Sequence, residues 1–256
     1  IGAWDVSKVT DMSYMFYDAS AFNAFIDAWD TSSVTTMYAT FAEAAAFDAD
    51  IDDWDVSNVT DMGWMFYNAT AFDADIGAWD VSKVTDMSYM FYDASAFNAF
   101  IDAWDTSSVT TMYATFAEAA AFDADIDDWD VSNVTDMGWM FYNATAFDAD
   151  IGDWDVSKVT DMSYMFSGAA AFDADIGGWD VSHQPVMADM FFGAAAFDQC
   201  LSWHEDYDHP FKACGEPTPS PTAAPTASPT AAPTAAPLAA PTRKPAAAPT
   251  PQPETE

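Results

Sequence analysis

Large apolar side chains recur along the chain in a fixed order: Ile1, Trp4, Val6, Val9, Met12, Met15, Phe16, Ala19 and Phe22, then again from Ile26 and Trp29 onward. The interval is 25 residues and Trp stands at 4, 29, 54, 79, 104, 129, 154 and 179, so the chain opens with eight copies of one unit. Ile at unit position 1, Trp at 4, Asp at 5, Ser at 7, Met at 12, Phe at 16, Ala at 21 and Phe at 22 are the same in every copy. A fixed period in this range signals a stacked repeat architecture. Two local periods share each unit. Trp4-Asp5-Val6-Ser7 alternates apolar and polar, which predicts a half-buried strand with Trp and Val inward. Met12, Met15, Phe16 and Ala19 have the i, i+3, i+4, i+7 spacing of one helix face, with Thr10 placed as an N-cap and Asp11 in the positive first turn. The expected fold is therefore an α/β repeat solenoid of strand–helix units. A lone unit has too few large side chains to offset the entropy of ordering itself, so neighbours must stack and bury both faces.

The pattern changes toward the C-terminus. Residues 1–75 and 76–150 are identical, a higher-order repeat of three units that reflects duplication or sequence assembly. In the eighth unit His183-Gln184-Pro185-Val186 stands where other units read like Lys8-Val9-Thr10-Asp11, and Pro185 removes a backbone donor. The expected organisation is a repeat domain over 1–200, a cap over 201–216 that covers the last open core layer, and a disordered Pro/Thr/Ala-rich linker or stalk over 217–256. The only cysteines, Cys200 and Cys214, bracket the cap and suit one disulfide in an oxidising compartment; two unpaired thiols are the alternative. The tail resembles an O-glycosylated stalk in composition.

Charge narrows the partners. The 42 acidic residues outnumber the 6 basic ones and give a formal net charge of −36. Such a surface repels nucleic acid and anionic membranes. No apolar run reaches the roughly 18–20 residues that span a bilayer. The chain starts in repeat register without a signal peptide, as a fragment or processed chain would, and the expected location is extracellular or on a cell surface.

The phrase Trp54-Asp55-Val56-Ser57-Asn58-Val59-Thr60-Asp61-Met62, with Met65-Phe66, Ala69 and Ala71-Phe72-Asp73, closely resembles the repeat of BspA-like leucine-rich-repeat surface proteins. The resemblance covers about residues 1–205. It implies a right-handed leucine-rich-repeat-like stack on extracellular proteins, linked to adhesion and protein contact, with no catalytic residues to carry over. Units 2 and 5 depart from the pattern with Thr31, Thr40, Thr106 and Thr115 at apolar positions, which is expected to loosen the core locally.

Several columns are candidate sites. Asp5, Asp30, Asp55, Asp80, Asp105, Asp130, Asp155 and Asp180 share the outward face with Ser7, Ser32, Ser57, Ser82, Ser107, Ser132, Ser157 and Ser182. They form either a ligand-facing ladder, Ca²⁺ ligands, or local caps on turn N–H groups. Pairs such as Asp48/Asp50 add oxygens but lack the spacing of a known calcium loop, so no cofactor is expected and bound Ca²⁺ stays an open alternative. Tyr14, Trp64, Tyr89, Trp139 and Tyr164 lie off the apolar stripe and are candidates for contact with a protein or sugar, or for burial between units. Thr10, Thr35, Thr60, Thr85, Thr110, Thr135 and Thr160 form a column that either caps helices or orders water on an ice- or mineral-facing surface. Asn58, Asn68, Asn133 and Asn143 begin N-glycosylation sequons. The three histidines, His183, His204 and His209, sit at the C-terminal end, and no nucleophile–base constellation is apparent, so no enzyme is expected. The expected role is non-enzymatic adhesion or recognition of an extracellular protein or glycan, with a structural wall spacer and an ice- or mineral-binding surface as alternatives.

Overall fold

A computed structural model of the chain describes residues 1–201 and 203. The chain divides into two units, Ile1–Glu216 and Pro217–Glu256. The cap over 201–216, the tail and the Cys214 end of the expected disulfide lie almost wholly outside the described residues. Coil 1 comprises residues 1–25, coil 2 residues 26–50, and so on to coil 8 at 176–200; a residue's place within its coil is called its position.

The described residues contain no helix and no strand longer than a single bridge. The expected strand–helix solenoid is thus overturned, and each coil is instead a run of tight turns. Val9 N–H donates to the Val6 carbonyl at 2.8 Å and closes a turn where the strand was expected. Over the stretch expected to be helical, Met15 N–H donates to Met12 O at 3.1 Å, Tyr17 to Tyr14 at 3.1 Å, Ala19 to Phe16 at 3.0 Å and Phe22 to Ala19 at 2.8 Å. These are three-residue spans. The helix is broken because Tyr14 and Asp18 have φ of 59° and 57°, and every later coil repeats left-handed backbone at both positions. An α-helix has no place for that conformation. It belongs to the third residue of a type II turn.

Why the chain accepts the strain follows from where its N–H groups go. In coil 1 the N–H groups of Met12, Tyr14, Phe16 and Asp18 leave the coil and donate to Thr36, Tyr38, Thr40 and Ala42 carbonyls at 2.8–3.1 Å. A helix would spend these donors internally, whereas the turn run aims alternate ones at the next coil. The one-residue parallel bridges run Asp11↔Thr36↔Asp61↔Asp86↔Thr111↔Asp136↔Asp161↔Val186, so all eight coils keep one register. Thr10 is no helix cap: its carbonyl accepts from Thr35 N–H at 2.8 Å. At Pro185 the missing donor is replaced by its neighbour, Val186 N–H reaching Thr160 O at 2.9 Å.

The inward half of the pattern is as the spacing implies. Ile26, Trp29, Val34, Met37, Phe41, Ala44 and Phe47 are buried in coil 2, with equivalents through coil 7. Phe at position 16 stacks coil on coil at 5.3–5.8 Å between ring centroids. Each Trp from 54 to 179 donates its indole N–H to the Ile carbonyl of the preceding coil, as Trp104 does to Ile76 at 3.1 Å. The threonines of coils 2 and 5 do not loosen the core. Thr40 is buried with its hydroxyl 2.7 Å from Met37 O and 3.2 Å from Met12 O, and Thr31 donates to Asp55 O at 3.0 Å, so both tie coils together.

Candidate functional site

The outward columns resolve into several arrangements. At position 5 each Asp serves its own coil. The Asp5 carboxylate accepts the Ser7 hydroxyl at 2.6 Å and the Ser7 N–H at 3.2 Å, and Asp30 and Asp105 repeat both bonds. The serine N–H bond recurs at Asp55, Asp80, Asp130, Asp155 and Asp180, at 2.9–3.1 Å. The Ser7 hydroxyl and then its N–H hold the Asp5 carboxyl below its usual pKa, and the serines at 32, 82, 157 and 182 do the same for Asp30, Asp80, Asp155 and Asp180. The side chains are exposed, but one carboxylate oxygen of each is already committed to a turn.

Position 23 carries a ladder that the sequence reading passed over. Asn23 Oδ1 accepts Asp48 N–H at 3.0 Å, Asp48 accepts Asp73 N–H at 2.9 Å, and the chain of bonds continues through Asn98, Asp123, Asp148 and Asp173 to Asp198. The signal was available: only Asn and Asp occur there, and both present an acceptor oxygen at the same distance from the backbone. Beside this ladder Asp123, Asp125, Asp127, Asp148 and Asp150 surround a hollow of about 290 Å³. The Asp125 charge pushes the Asp127 carboxyl up. Among the described residues no group of three or more His, Cys, Asp or Glu is arranged to hold a metal ion.

The threonine column at position 10 is exposed, and Thr35, Thr60, Thr85, Thr110, Thr135 and Thr160 each donate a hydroxyl to the Thr carbonyl one coil back at 2.9–3.3 Å. Asn58 and Asn133 are exposed and donate to Ser32 O and Ser107 O, both at 2.9 Å. Asn68 and Asn143 are half-buried and donate to Glu43 and Glu118, at 3.1 and 2.9 Å.

Positions 14 and 17 form an outer aromatic stack with a gap. Trp64 packs on Tyr67 at 4.5 Å and on Tyr89 at 4.4 Å, and Tyr67 stacks on Tyr92 at 4.9 Å. Trp139 packs on Tyr142 at 4.4 Å and on Tyr164 at 4.7 Å. Coil 5, between them, has Ala114 and Ala117 at these two positions. Among the described residues no ring contact joins Tyr89 or Tyr92 to Trp139 or Tyr142. The missing layer opens a cavity of about 300 Å³ lined by Trp64, Tyr67, Tyr89, Tyr92, Tyr113, Ala114 and Trp139. Tyr113 meets Tyr89 edge-on at 5.2 Å. A Cβ on Gly138 would lie 3.2 Å from the Tyr113 ring, so that glycine gives the ring its room. Ala39, Ala42, Tyr38 and Gly63 repeat the arrangement in coils 2 and 3, with Tyr38 edge-on to Tyr14 at 5.4 Å.

Carboxylates flank the slot. Burial, then Glu118 and Glu43, pushes the Asp93 carboxyl up, and Tyr92 is raised by burial and by Glu118. Burial, then Tyr89, then the charges of Asp136 and Asp161 push the Tyr113 hydroxyl up to about 12. No lysine side chain among the described residues lies on this face, since Lys8, Lys83 and Lys158 sit at position 8 and Lys83 and Lys158 bond Asn58 and Asn133 there. The slot thus presents ring surface in a negative field.

No helix among the described residues is long and apolar enough to cross a membrane. Neither a curated protein nor a solved structure matches the chain. One family model matches in three overlapping registers, residues 1–104, 74–170 and 96–204, which together span every coil described above. The chain belongs to the repeat family described as Mycoplasma protein of unknown function, DUF285.

Proposed function

We propose that this chain is a non-enzymatic recognition module, carried outside the cell, that binds an extracellular protein or glycan through its outer faces. One observation carries the reading: the layer missing from the aromatic stack at coil 5. Exposed aromatic surface is costly to keep in water, and the rest of the stack hides it by ring-on-ring packing. At Ala114 and Ala117 that cover is absent, and the charges of Glu118, Asp136 and Asp161 act on the tyrosines around the opening. An apolar hollow with a few polar groups around it is the usual form of a binding site. The resemblance to BspA-like surface proteins supports the adhesive side of the reading, and the −36 charge favours a neutral or cationic partner. The position-5 aspartates are left a secondary part, since their serines occupy them.

Filling the slot tests the proposal. Tyr113→Ser, Ala114→Tyr and Ala117→Tyr together give coil 5 the residues of coil 4 at these positions, and Tyr38→Ser, Ala39→Tyr and Ala42→Tyr do the same for coil 2. Left-handed tyrosine is already accommodated at Tyr89, with φ of 58°, so the backbone tolerates the change. The full chain and the filled variant are applied to an array of glycans and extracellular proteins. Saturable binding that the filled variant loses is expected. Binding that filling leaves untouched refutes recognition through the slot.

A further inference from the structure

The occupant can be narrowed by shape and charge, on the premise that the slot is the recognition site. We propose that the slot at coil 5 takes the guanidinium of an arginine side chain on a basic segment of a partner protein.

Three features converge. The outer stack lacks one layer here, because coils 3, 4 and 6 carry rings at positions 14 and 17 and coil 5 has alanine at both, with its Tyr113 at position 13 on the cavity wall. Adjacent layers of the stack stand 4.4–4.9 Å apart. A flat group therefore fits where a ring was omitted, whereas a bulky one would have to part the coils. Guanidinium is planar, weakly hydrated and stacks on aromatic rings. The second feature is the field. Glu43 and Asp93 act on Tyr67, Glu118 and Asp93 on Tyr92, and Asp136 and Asp161 on Tyr113, each adding to the rise that burial gives the phenol. Burial is the larger cause of each rise, and the carboxylate charges that add to it disfavour further negative charge and favour a positive group. Third, the cavity holds hydrogen-bond acceptors suited to a donor-only group. Tyr67 and Tyr92, whose phenol oxygens can accept, line it, and outside the lining Glu118, whose charge acts on Tyr92, keeps an oxygen beyond the one that accepts from Asn143. A pyranose would satisfy the first feature but has no use for the second.

The test uses the full chain and peptides of equal charge. Hexaarginine and hexalysine are titrated calorimetrically at physiological salt, alongside chitohexaose as a neutral sugar. Both peptides feel the same overall acidic field, so their ratio reports the slot. At least tenfold tighter binding of hexaarginine is expected, falling to within about twofold in the filled variant. Trp139→Ala serves as a second variant that removes one wall without filling the slot, and it too should cut the arginine preference. Equal affinity for the two peptides, or an arginine preference that survives filling, overturns the assignment. Slot-dependent binding of chitohexaose without arginine preference also overturns it, while leaving the recognition reading intact.

Discussion

Replacing Trp104 by Phe and Trp29 by Phe should have very different effects, although the two residues occupy the same position and bury to 2% and 3% exposure. Trp104 donates its indole N–H to Ile76 O at 3.1 Å, whereas the Trp29 N–H is buried without a partner. Ring packing does not separate them: Trp29 stacks on Trp54 at 6.1 Å and Trp104 on Trp129 at 6.1 Å. The volume lost on going to Phe is common to both and cancels. What remains is the hydrogen bond. Losing a satisfied one costs about 1 kcal/mol net, and deleting a buried orphan donor recovers about 1–3 kcal/mol. Trp104→Phe should therefore be less stable than Trp29→Phe by about 2–4 kcal/mol. At about 2–4 °C per kcal/mol for a domain of this size, the melting temperatures should differ by at least about 4 °C. Coil 2 lies nearer the end of the stack, so Val34→Ala and Val109→Ala, both fully buried, calibrate the effect of place alone. Scanning calorimetry of the four variants decides the matter. If the two Trp variants differ by no more than the two Val variants, the indole N–H is not a coil-to-coil staple.

Three other outcomes follow from the geometry. Asp18 is exposed with φ of 57°, so Asp18→Gly should raise stability by up to about 1 kcal/mol and Asp18→Val should lower it by about 1–2 kcal/mol in urea denaturation. Asp123 accepts Asp148 N–H at 2.8 Å, as Asn98 accepts Asp123 N–H, so Asp123→Asn should be neutral or stabilising while Asp123→Ala loses about 1 kcal/mol by the same measurement. Stability should peak in mild acid when melting temperature is followed against pH. Asp61, Asp93 and Asp136 have raised folded values, so folding takes up protons and gains as pH falls through those values toward 3.8. Asp5, Asp30, Asp80, Asp155 and Asp180 have lowered values, so their contribution, full above 3.8, is lost as pH falls below it. A melting temperature that only declines from neutral pH downward would contradict this balance.

The inward half of each coil was legible in the sequence because burial is read from side-chain type and period alone. Trp54-Asp55-Val56 alternates inward, outward, inward as its letters imply, even though no strand forms there. The backbone state was not legible, and Met12, Met15, Phe16 and Ala19 show why. Helical spacing and a run of inward turns put apolar residues at the same intervals. The left-handed conformation of positions 14 and 18 separates the two, and the Tyr, Trp and Ala at position 14 carry no left-handed preference of their own. Position 18 did carry a signal, since Asp, Asn and Gly occupy it in six of the eight coils and tolerate left-handed backbone. The decisive energy is also non-local: the N–H groups at 12, 14, 16 and 18 are satisfied by the following coil, which periodicity within one coil cannot reveal. Position-14 aromatics were flagged as contact candidates, but the slot depends on where the aromatic is missing, and a column read for its members hides its gaps.

Those gaps are not sporadic losses. At position 13 the residues run Ser13, Tyr38, Gly63 and then Ser88, Tyr113, Gly138. Tyr occurs in the coil whose positions 14 and 17 are alanine, and Gly follows one coil later, where a Cβ would press on the Tyr ring at 3.2–3.3 Å. Threonine replaces methionine at position 15 of the same two coils and bonds Met12 O or Met87 O one coil back. Five substitutions spread over two coils thus agree on one local structure: a floor of Tyr113 in place of an outer ring, space made for it, and a polar tie beneath. Random decay of a repeat would delete the ring without building the floor. The coupling makes a sharp expectation for Gly138→Ser, which restores the residue of coils 1, 4 and 7. Its Cβ must push Tyr113 outward into the cavity. The variant should melt within about 2 °C of the parent, since the site is at the stack's outer face, yet lose the arginine preference as the filled variant does. Retention of that preference would mean that Tyr113 does not set the width of the slot.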